Sequence, residues 1–246
     1  MIKDKVAIIT GASSGIGFAT ALALSKAGAK VAIGARRVDK LEALAKQISD
    51  NGGEVFFQRL DVTQREECEN FAKAVLEKWN SIDILVNNAG LMPLSFFKSL
   101  KVDEWDRMID VNIKGVMYST GAVITHMKEK KSGHIVNLSS VAGRIVFPSG
   151  SVYCATKHAV AAFSEGLRQE FSVRSNIRVT SIEPGVVATE LNDTITDESL
   201  KGFVENTKKM EALQAEDIAN AILYAVDSPS YVNVNEILIR PTTQER

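Results

Sequence analysis

The fold of this 246-residue chain is decided near its amino terminus, where residues 6–17 read VAIITGASSGIG. The first five, Val6–Thr10, form an apolar run of strand length, and an alanine-rich segment with helical periodicity follows the glycines. Gly11, Gly15 and Gly17 lack a Cβ atom, so the turn can be tight and a pyrophosphate can approach the backbone at the helix amino terminus. A purely structural turn is the alternative, but the flanking strand and helix are those that a dinucleotide-binding loop requires.

The rest of the chain alternates short apolar runs with longer helical segments, a pattern typical of successive βαβ units. It predicts seven strands: Val6–Thr10, Val31–Ala35, Val55–Arg59, Ile84–Asn87, Ile135–Leu138, Arg178–Ile182 and Glu236–Ile239. The predicted helices include Gly17–Ala27, Asp39–Ser49, Glu66–Trp79, Val111–Glu129, Val152–Phe171 and Glu216–Val226. We therefore expect an α/β fold, in which residues 1–246 form a single Rossmann-type domain with a doubly wound seven-stranded parallel sheet and helices on both faces. The long strandless stretch Val186–Gln214 is predicted to be a substrate lid.

The composition is that of an ordinary globular protein, with 45% apolar residues, 24% charged residues and a formal net charge of -1. Because acidic and basic residues are well mixed, we expect a small-molecule partner rather than nucleic acid or a membrane surface. The segment from Met1 lacks the pattern of a secretory signal, no apolar run approaches the roughly 18 residues of a membrane span, and two cysteines are too few for a disulfide framework. These features predict a cytoplasmic protein, in which Cys154 is a buried filler rather than a reactive thiol. The three histidines lack ligand spacing, so we predict no metal site.

The end of the second strand bears on the choice between NAD and NADP, because residues 34–37 read Gly-Ala-Arg-Arg. NAD-binding proteins of this fold carry a carboxylate there for the ribose 2'-hydroxyl, whereas an arginine accommodates a 2'-phosphate. Arg36 and Arg37 can hold a phosphate by charge-assisted hydrogen bonds, and Ser13 can add a hydroxyl, which favours NADP. The alternative is that both arginines are merely solvated. Asp61 is placed to meet the adenine ring, to cap a helix from Val62 onward, or to do both.

A candidate reacting group lies further along the chain, where Tyr153 and Lys157 are four residues apart near the start of a predicted helix. An ammonium stabilises a neighbouring phenolate, so we expect Lys157 to lower the pKa of Tyr153 towards neutrality. Such a tyrosine can protonate a ketone oxygen or deprotonate an alcohol. Ser140 follows the fifth strand, at the edge where open α/β sheets bind ligands, and it can either donate to a substrate oxygen or satisfy backbone groups in a turn.

Together these motifs resemble those of the short-chain dehydrogenase/reductase family. The resemblance rests on the glycine loop, Asn87-Asn88-Ala89-Gly90, Pro184-Gly185, and Tyr153 placed thirteen positions after Ser140, the spacing that the family uses. The segment Ile237–Thr242 resembles the NADP-preferring branch.

The resemblance implies an oxidoreductase that transfers hydride between NADP(H) and a small carbonyl or alcohol. Tyr153 is then the general acid or base, Ser140 polarises the substrate oxygen, and Lys157 holds the nicotinamide ribose. Asn112 resembles the asparagine that helps to hold a water in the proton relay. The cofactor residues implied by the motifs, together with the expectations above, are Gly11, Ser13, Ser14, Gly15, Ile16, Gly17, Arg36, Arg37, Asp61, Val62, Asn88, Ala89, Gly90, Tyr153, Lys157, Pro184, Gly185, Val187 and Thr189. The family also implies a homotetramer or homodimer.

Two questions stay open at the level of sequence. A non-catalytic NADP(H)-sensing protein on the same fold is the alternative function, although such proteins usually lose the tyrosine or the lysine. The substrate can be a ketone, an aldehyde or a hydroxy acid, since the pocket is predicted to be walled by Leu91–Phe97, Val141–Ser149 and the lid. Arg144 in that wall can pair with a substrate carboxylate or be solvated.

Overall fold

The computed structural model describes residues 2–245, apart from the side chain of Lys208, so the predicted domain ends Met1 and Arg246 lie outside the described residues. Within the described part, seven parallel strands form one sheet in the order β3-β2-β1-β4-β5-β6-β7. Their bounds are β1 Val6–Thr10, β2 Lys30–Ala35, β3 Val55–Arg59, β4 Ile84–Asn87, β5 Gly133–Leu138, β6 Ile177–Pro184 and β7 Glu236–Ile239. The predicted single-domain Rossmann-type architecture is confirmed, and the strand ends differ from the prediction by two residues at most.

Helices cover both faces of the sheet, because successive strand residues point to opposite sides and both sides are apolar. In β1, Ala7 and Ile9 belong to the core beneath α1, α2 and α8, at Gly15–Lys26, Val38–Asp50 and Ala215–Asp227. Val6 and Ile8 belong to the core beneath α3, α5 and α6, at Arg65–Trp79, Gly115–Lys130 and Ser151–Ser175. None of the helices within residues 2–245 combines the length and the apolar composition needed to cross a membrane.

Two helices were not predicted, α4 at Val102–Ile109 and α7 at Lys201–Lys209. Helix α4 continues through a π-helical turn, Asp110–Lys114, into α5, so the predicted start of this helix at Val111 was too late. The helix was missed because it is short and Val102 and Ile109 are partly exposed, which leaves Met108 as its one buried side chain.

The segment Val186–Gln214 leaves the carboxyl end of the sheet and returns to the same place. A parallel bridge between Val187 and Leu213 closes its base, where the Leu213 amide donates to the Val186 carbonyl at 3.0 Å. It carries two 3₁₀ turns, Glu190–Thr194 and Glu198–Leu200, followed by α7. The segment therefore stands beside the sheet edge where ligands of this fold bind.

Candidate active site

The glycine loop occupies the switch point of the sheet, between β1 and β4, and its close packing explains its glycines. Gly11 and Gly15 have φ angles of +66° and +55°, a left-handed conformation that favours glycine. A Cβ atom on Gly11 would lie 2.7 Å from the Cα atom of Ala89, and one on Gly17 would lie 2.4 Å from Nδ2 of Asn88. Larger residues at these positions would force the loop away from the segment that follows β4.

The same loop fits a dinucleotide phosphate. Ser14 is the N-cap residue of α1 but makes no side-chain hydrogen bond to the helix backbone. The amide groups of the first turn, at Gly15, Ile16 and Gly17, are therefore not capped by that side chain. Together with the helix dipole, such amides form an anion-binding site, so the residues present fit the cofactor that the sequence motif implies.

Thr10 joins the loop to the segment after β4, and sequence analysis missed this role. Its buried hydroxyl accepts hydrogen bonds from the backbone amides of Asn88 and Ala89, both at 3.1 Å. The Asn88 side-chain amide donates in return to the carbonyls of Thr10 and Gly11, at 2.9 and 3.1 Å. These bonds fix Asn88, Ala89 and Gly90 beside the glycine loop. The available signal was a hydroxyl residue at the last position of a buried strand.

Arg37 lies across the glycine loop. Its guanidinium donates to the hydroxyls of Ser13 and Ser14, with the Nη2–Oγ distance to Ser14 being 2.7 Å. It also forms an ion pair with Glu190, a residue that sequence analysis did not single out. The alternative of a merely solvated arginine is therefore wrong for Arg37. Arg36 stands exposed at the same end of β2.

Asp61 shapes the turn before α3. Its carboxylate accepts hydrogen bonds from the amide and the hydroxyl of Thr63, at 3.1 and 2.8 Å. The helix begins only at Arg65, so Asp61 caps this turn and not a helix starting at Val62. Val62 is buried against Gly115, where a Cβ atom would come within 2.7 Å of its Cγ2.

Ser140, Tyr153 and Lys157 converge at the carboxyl edge of the sheet. Tyr153 and Lys157 lie in the first two turns of α6 and are only 5% and 7% exposed. The Lys157 Nζ atom is 5.8 Å from the centre of the Tyr153 ring, and the Ser140 hydroxyl is near enough to the Tyr153 phenol to lower its pKa. The Tyr153–Lys157 pair and Ser140, which come from different segments of the sequence, therefore share one buried site.

The pKa values within this site differ from the sequence expectation. Burial raises the pKa of Tyr153 to about 12, and the neighbouring Ser140 side chain opposes this rise. Burial also lowers the pKa of Lys157 to about 8. Lys157 does not lower the pKa of Tyr153 as the sequence led us to expect. Desolvation of the phenol dominates, and the Lys157 ammonium donates to the Leu138 carbonyl at 2.7 Å. At neutral pH the phenol is thus protonated.

Ser139 and Ser140, which follow β5, have different hydrogen-bond partners. The Ser139 hydroxyl donates to the Lys157 carbonyl at 2.9 Å, which is a purely structural bond. The Ser140 hydroxyl accepts from the Ala142 amide at 3.1 Å and donates to the Pro184 carbonyl at 3.3 Å. Ser140 therefore holds its turn and faces Tyr153 at the same time.

Asn112 lies in the π-helical turn between α4 and α5. Its side chain exchanges hydrogen bonds with the backbone of Leu91, at 3.0 and 2.9 Å, and donates to the Thr156 hydroxyl at 3.2 Å. A Cβ atom on Gly90 would lie 3.4 Å from Asn112 Oδ1 and 3.9 Å from Lys157 Nζ. The π turn, a feature frequent at functional sites, thus brings Asn112 near Lys157, beside Gly90.

The chain after β6 runs back towards the glycine loop. The Gly185 amide donates to the Ile239 carbonyl at 2.7 Å, and the Val186 amide donates to Gln244 Oε1 at 2.8 Å. Pro184 and Gly185 are thereby anchored to β7, a contact that no sequence motif indicated, whereas Val187 pairs with Leu213. A Cβ atom on Gly15 would meet the side chain of Thr189 at 3.1 Å, so this segment borders the loop.

Arg144 takes neither of the roles that its sequence suggested. Its Nε atom donates to Glu183 at 2.5 Å, and its Nη2 atom pairs with Glu236. These two carboxylates raise the pKa of Arg144 above its ordinary value. Arg144 therefore neutralises the fully buried Glu183, and it is not a free anchor for a substrate carboxylate. Beside the site lies a cluster of buried side chains, most of them apolar: Leu91, Leu94, Met108, Ala142, Tyr153, Cys154 and Leu200.

The fold and the site together define the class of dinucleotide-binding α/β oxidoreductases. Residues 5–200 match the model of the short chain dehydrogenase family, and the chain belongs to that family. An uncharacterized oxidoreductase of Staphylococcus saprophyticus is 50% identical over 244 residues, which cover 99% of this chain and 98% of that protein.

Two solved structures bear on the cofactor. The closed form of a serine dehydrogenase complexed with NADP+ is 36% identical, with a TM-score of 0.90, and the match covers 98% of this chain and 96% of that one. A short chain dehydrogenase/reductase from Burkholderia phymatum in complex with NAD is 27% identical, with a TM-score of 0.88, and the match covers 96% and 89%. Both cofactors therefore occur among proteins of similar structure.

Proposed function

We propose that this protein is an NADP(H)-dependent reductase or dehydrogenase that interconverts a small ketone or aldehyde and the corresponding alcohol. The observation that carries the proposal is the buried group of Ser140, Tyr153 and Lys157 beside a dinucleotide-binding loop. Arg144 was the candidate partner for the carboxylate of a hydroxy acid. Because it pairs with Glu183 and Glu236 instead, a hydroxy acid is not the substrate class that we favour. The apolar cluster that surrounds Tyr153 favours a neutral substrate.

In the reductive direction, the protonated Tyr153 hydroxyl donates its proton to the carbonyl oxygen as the carbon atom receives hydride. NADPH supplies that hydride when it is bound, and NADP+ accepts it in the reverse direction. Ser140 polarises the same oxygen, since its hydroxyl can turn from the Pro184 carbonyl to the substrate. Lys157 holds the nicotinamide ribose. Asn112, held by its hydrogen bonds to the Leu91 carbonyl and the Thr156 hydroxyl, supports the proton relay.

The preference for NADP is supported by the residues at the end of β2. Ala35 stands where an NAD-binding protein carries a carboxylate, and Arg37 lies against Ser13 and Ser14. Guanidinium groups bind phosphate by charge-assisted, often bidentate, hydrogen bonds. Arg36 is exposed at the same edge and adds positive charge. The adenine contact of Asp61 belongs to the same proposal.

The segment Val186–Gln214 acts as a substrate lid in this proposal. Its Asp197 carboxylate accepts from the Ser99 hydroxyl at 2.8 Å and from the Phe96 amide at 3.3 Å. Thr196 donates to Glu104 in α4. These contacts tie the segment to one wall of the pocket, as expected of a lid that excludes water during the reaction.

We further propose a cytoplasmic homodimer or homotetramer. The α4–α5 face presents apolar side chains to solvent, including Val102, Ile109 and Met117. Exposed apolar patches of this kind are typical of surfaces that pair with another subunit. Size-exclusion chromatography with light scattering would measure the assembly.

The experiment that tests the function is a screen of ketones, aldehydes and alcohols with NADPH or NADP+, followed by hydride tracing. NADPH deuterated at the reactive carbon should transfer deuterium to the carbonyl carbon of the best substrate. A sensor protein, the alternative function, would bind NADPH and turn over no substrate in either direction. Transfer of label from solvent instead of the cofactor would contradict the proposed reaction.

A further inference from the structure

The Arg37 guanidinium divides its hydrogen bonds between two segments that are distant in sequence. On one side, Nε and Nη2 donate to the Ser13 hydroxyl at 3.2 and 3.1 Å, and Nη2 also donates to Ser14. On the other side, Nη1 donates to Oε2 of Glu190 at 2.9 Å. The donors that would hold a cofactor 2'-phosphate are therefore already engaged, in part by a carboxylate.

The position of Glu190 is fixed by its neighbours. It is the first residue of the 3₁₀ turn Glu190–Thr194, which is capped by Thr189 through a bond from the Leu191 amide. Thr189 borders the glycine loop at Gly15. Hydrogen bonds from Arg37 and Ser14 hold the pKa of Glu190 below its ordinary value, so the carboxylate is charged at neutral pH.

We propose that Glu190 is a specificity-determining residue that competes with the cofactor 2'-phosphate for Arg37. The inference rests on the proposed use of NADP(H) and deepens it. In the free protein the carboxylate occupies the guanidinium edge that a 2'-phosphate takes, so each binding event must exchange one anion for the other. Glu190 thus lowers the affinity for 2'-phosphorylated cofactors and leaves the affinity for unphosphorylated ones unchanged.

The exchange favours the phosphate for two reasons. A phosphomonoester carries a charge of about -1.5 to -2 at neutral pH and offers three acceptor oxygens, against a single charge on the carboxylate. The Arg37 and Glu190 side chains are also 45% and 57% exposed, and ion pairs at that exposure are weak. Ser13 and Ser14 can keep accepting from Arg37 while turning their hydroxyl protons to the phosphate.

Binding of two small probes tests the proposal without catalysis. Adenosine 2',5'-bisphosphate and 5'-AMP differ only in the 2'-phosphate, and calorimetric titration gives the Kd of each. Replacing Glu190 by glutamine, Glu190→Gln, removes the competing charge and keeps the side-chain shape. The Kd of the bisphosphate should fall about threefold to fivefold, as expected from loss of an exposed ion pair. The Kd of 5'-AMP should stay within about twofold of the parent value, because 5'-AMP has no 2'-phosphate and weak surface charges change affinity little.

Two further variants make the test specific. Asp193→Asn removes the same charge from the same 3₁₀ turn, at an exposed residue, and should leave the ratio of the two Kd values unchanged. In an Arg37→Gln background, Glu190→Gln should no longer tighten the bisphosphate, because the shared partner is gone.

The possible failures are distinguishable. Equal tightening of both probes would overturn the competition, and so would weaker bisphosphate binding, which would mean that Glu190 holds Arg37 in its binding pose. A parent protein that prefers the bisphosphate but does not respond to Glu190→Gln would overturn the inference and leave NADP use intact. A parent protein that binds both probes equally would contradict NADP preference and the inference together.

Discussion

Lys157 should cost the protein stability, because its ammonium is buried. Its pKa falls from 10.5 to about 8 through desolvation, and one pKa unit corresponds to about 1.4 kcal/mol. The charge therefore destabilises the folded state by about 3 kcal/mol at neutral pH, as an upper estimate. Lys157→Met, a substitution of similar length, removes the charge but leaves the Leu138 carbonyl without this donor, which costs about 1 to 2 kcal/mol. We expect a net gain of about 1 to 2 kcal/mol in the free energy of unfolding and a loss of activity.

The pH dependence identifies the cause. Between about pH 8 and 10.5, Lys157 binds fewer protons in the folded protein than in the unfolded chain. The free energy of unfolding of the parent therefore rises with pH across this range. The advantage of Lys157→Met should be complete below pH 8 and should shrink as the pH rises through this window.

Urea denaturation of the nucleotide-free protein at pH 7 and at higher pH measures both quantities. Lys46→Met is the matched control, because Lys46 is exposed and pairs only with Asp50 across one helical turn among the contacts of the described residues. That control should change the unfolding free energy by no more than about 0.5 kcal/mol. A Lys157→Met protein that is less stable than the parent at pH 7, or whose advantage does not vary with pH, would refute the reasoning.

Three further outcomes are expected. The parent should prefer NADPH over NADH in kcat/KM by about tenfold to a hundredfold, as one charge-assisted contact predicts. Ala35→Asp should reverse much of that preference. Equal use of both cofactors by the parent would contradict the assigned NADP preference. Gly17→Ala should weaken NADPH binding, measured by fluorescence titration, because the added Cβ atom would have no room. The control Gly166→Ala, in open space on α6, should leave binding unchanged. Tight binding by Gly17→Ala would contradict this and show that the loop can shift. Arg144→Leu should lower the unfolding free energy by about 2 kcal/mol, discounted for its 40% exposure, because Glu183 is left buried without its cation; a thermal melt equal to that of the parent would contradict this.

The sheet could be predicted from sequence because its signals are local. Val6–Thr10 and the other strands are short apolar runs bounded by turns, and burial on both faces removes any need for alternation. The glycine loop was predictable for the same reason, since strand, loop and helix are contiguous. Tyr153 and Lys157 were found because a spacing of four residues places two side chains on one helix face.

Contacts between distant segments could not be predicted. Arg37 and Glu190 are 153 residues apart, and Arg144 lies 39 residues from Glu183, so no local pattern announces either pair. The pKa of Tyr153 was expected in the wrong direction because burial, which dominates it, is a property of the packed site and not of helical spacing.

The most direct test of the central claim compares Tyr153→Phe with the parent protein and with Tyr224→Phe, which alters an exposed tyrosine on α8. The change removes only the Tyr153 hydroxyl, so NADPH should bind with a Kd within about twofold of the parent value. Loss of a general acid should lower kcat for the best carbonyl substrate by at least about a hundredfold, while Tyr224→Phe keeps the parental rate. Undiminished turnover by Tyr153→Phe would contradict the account.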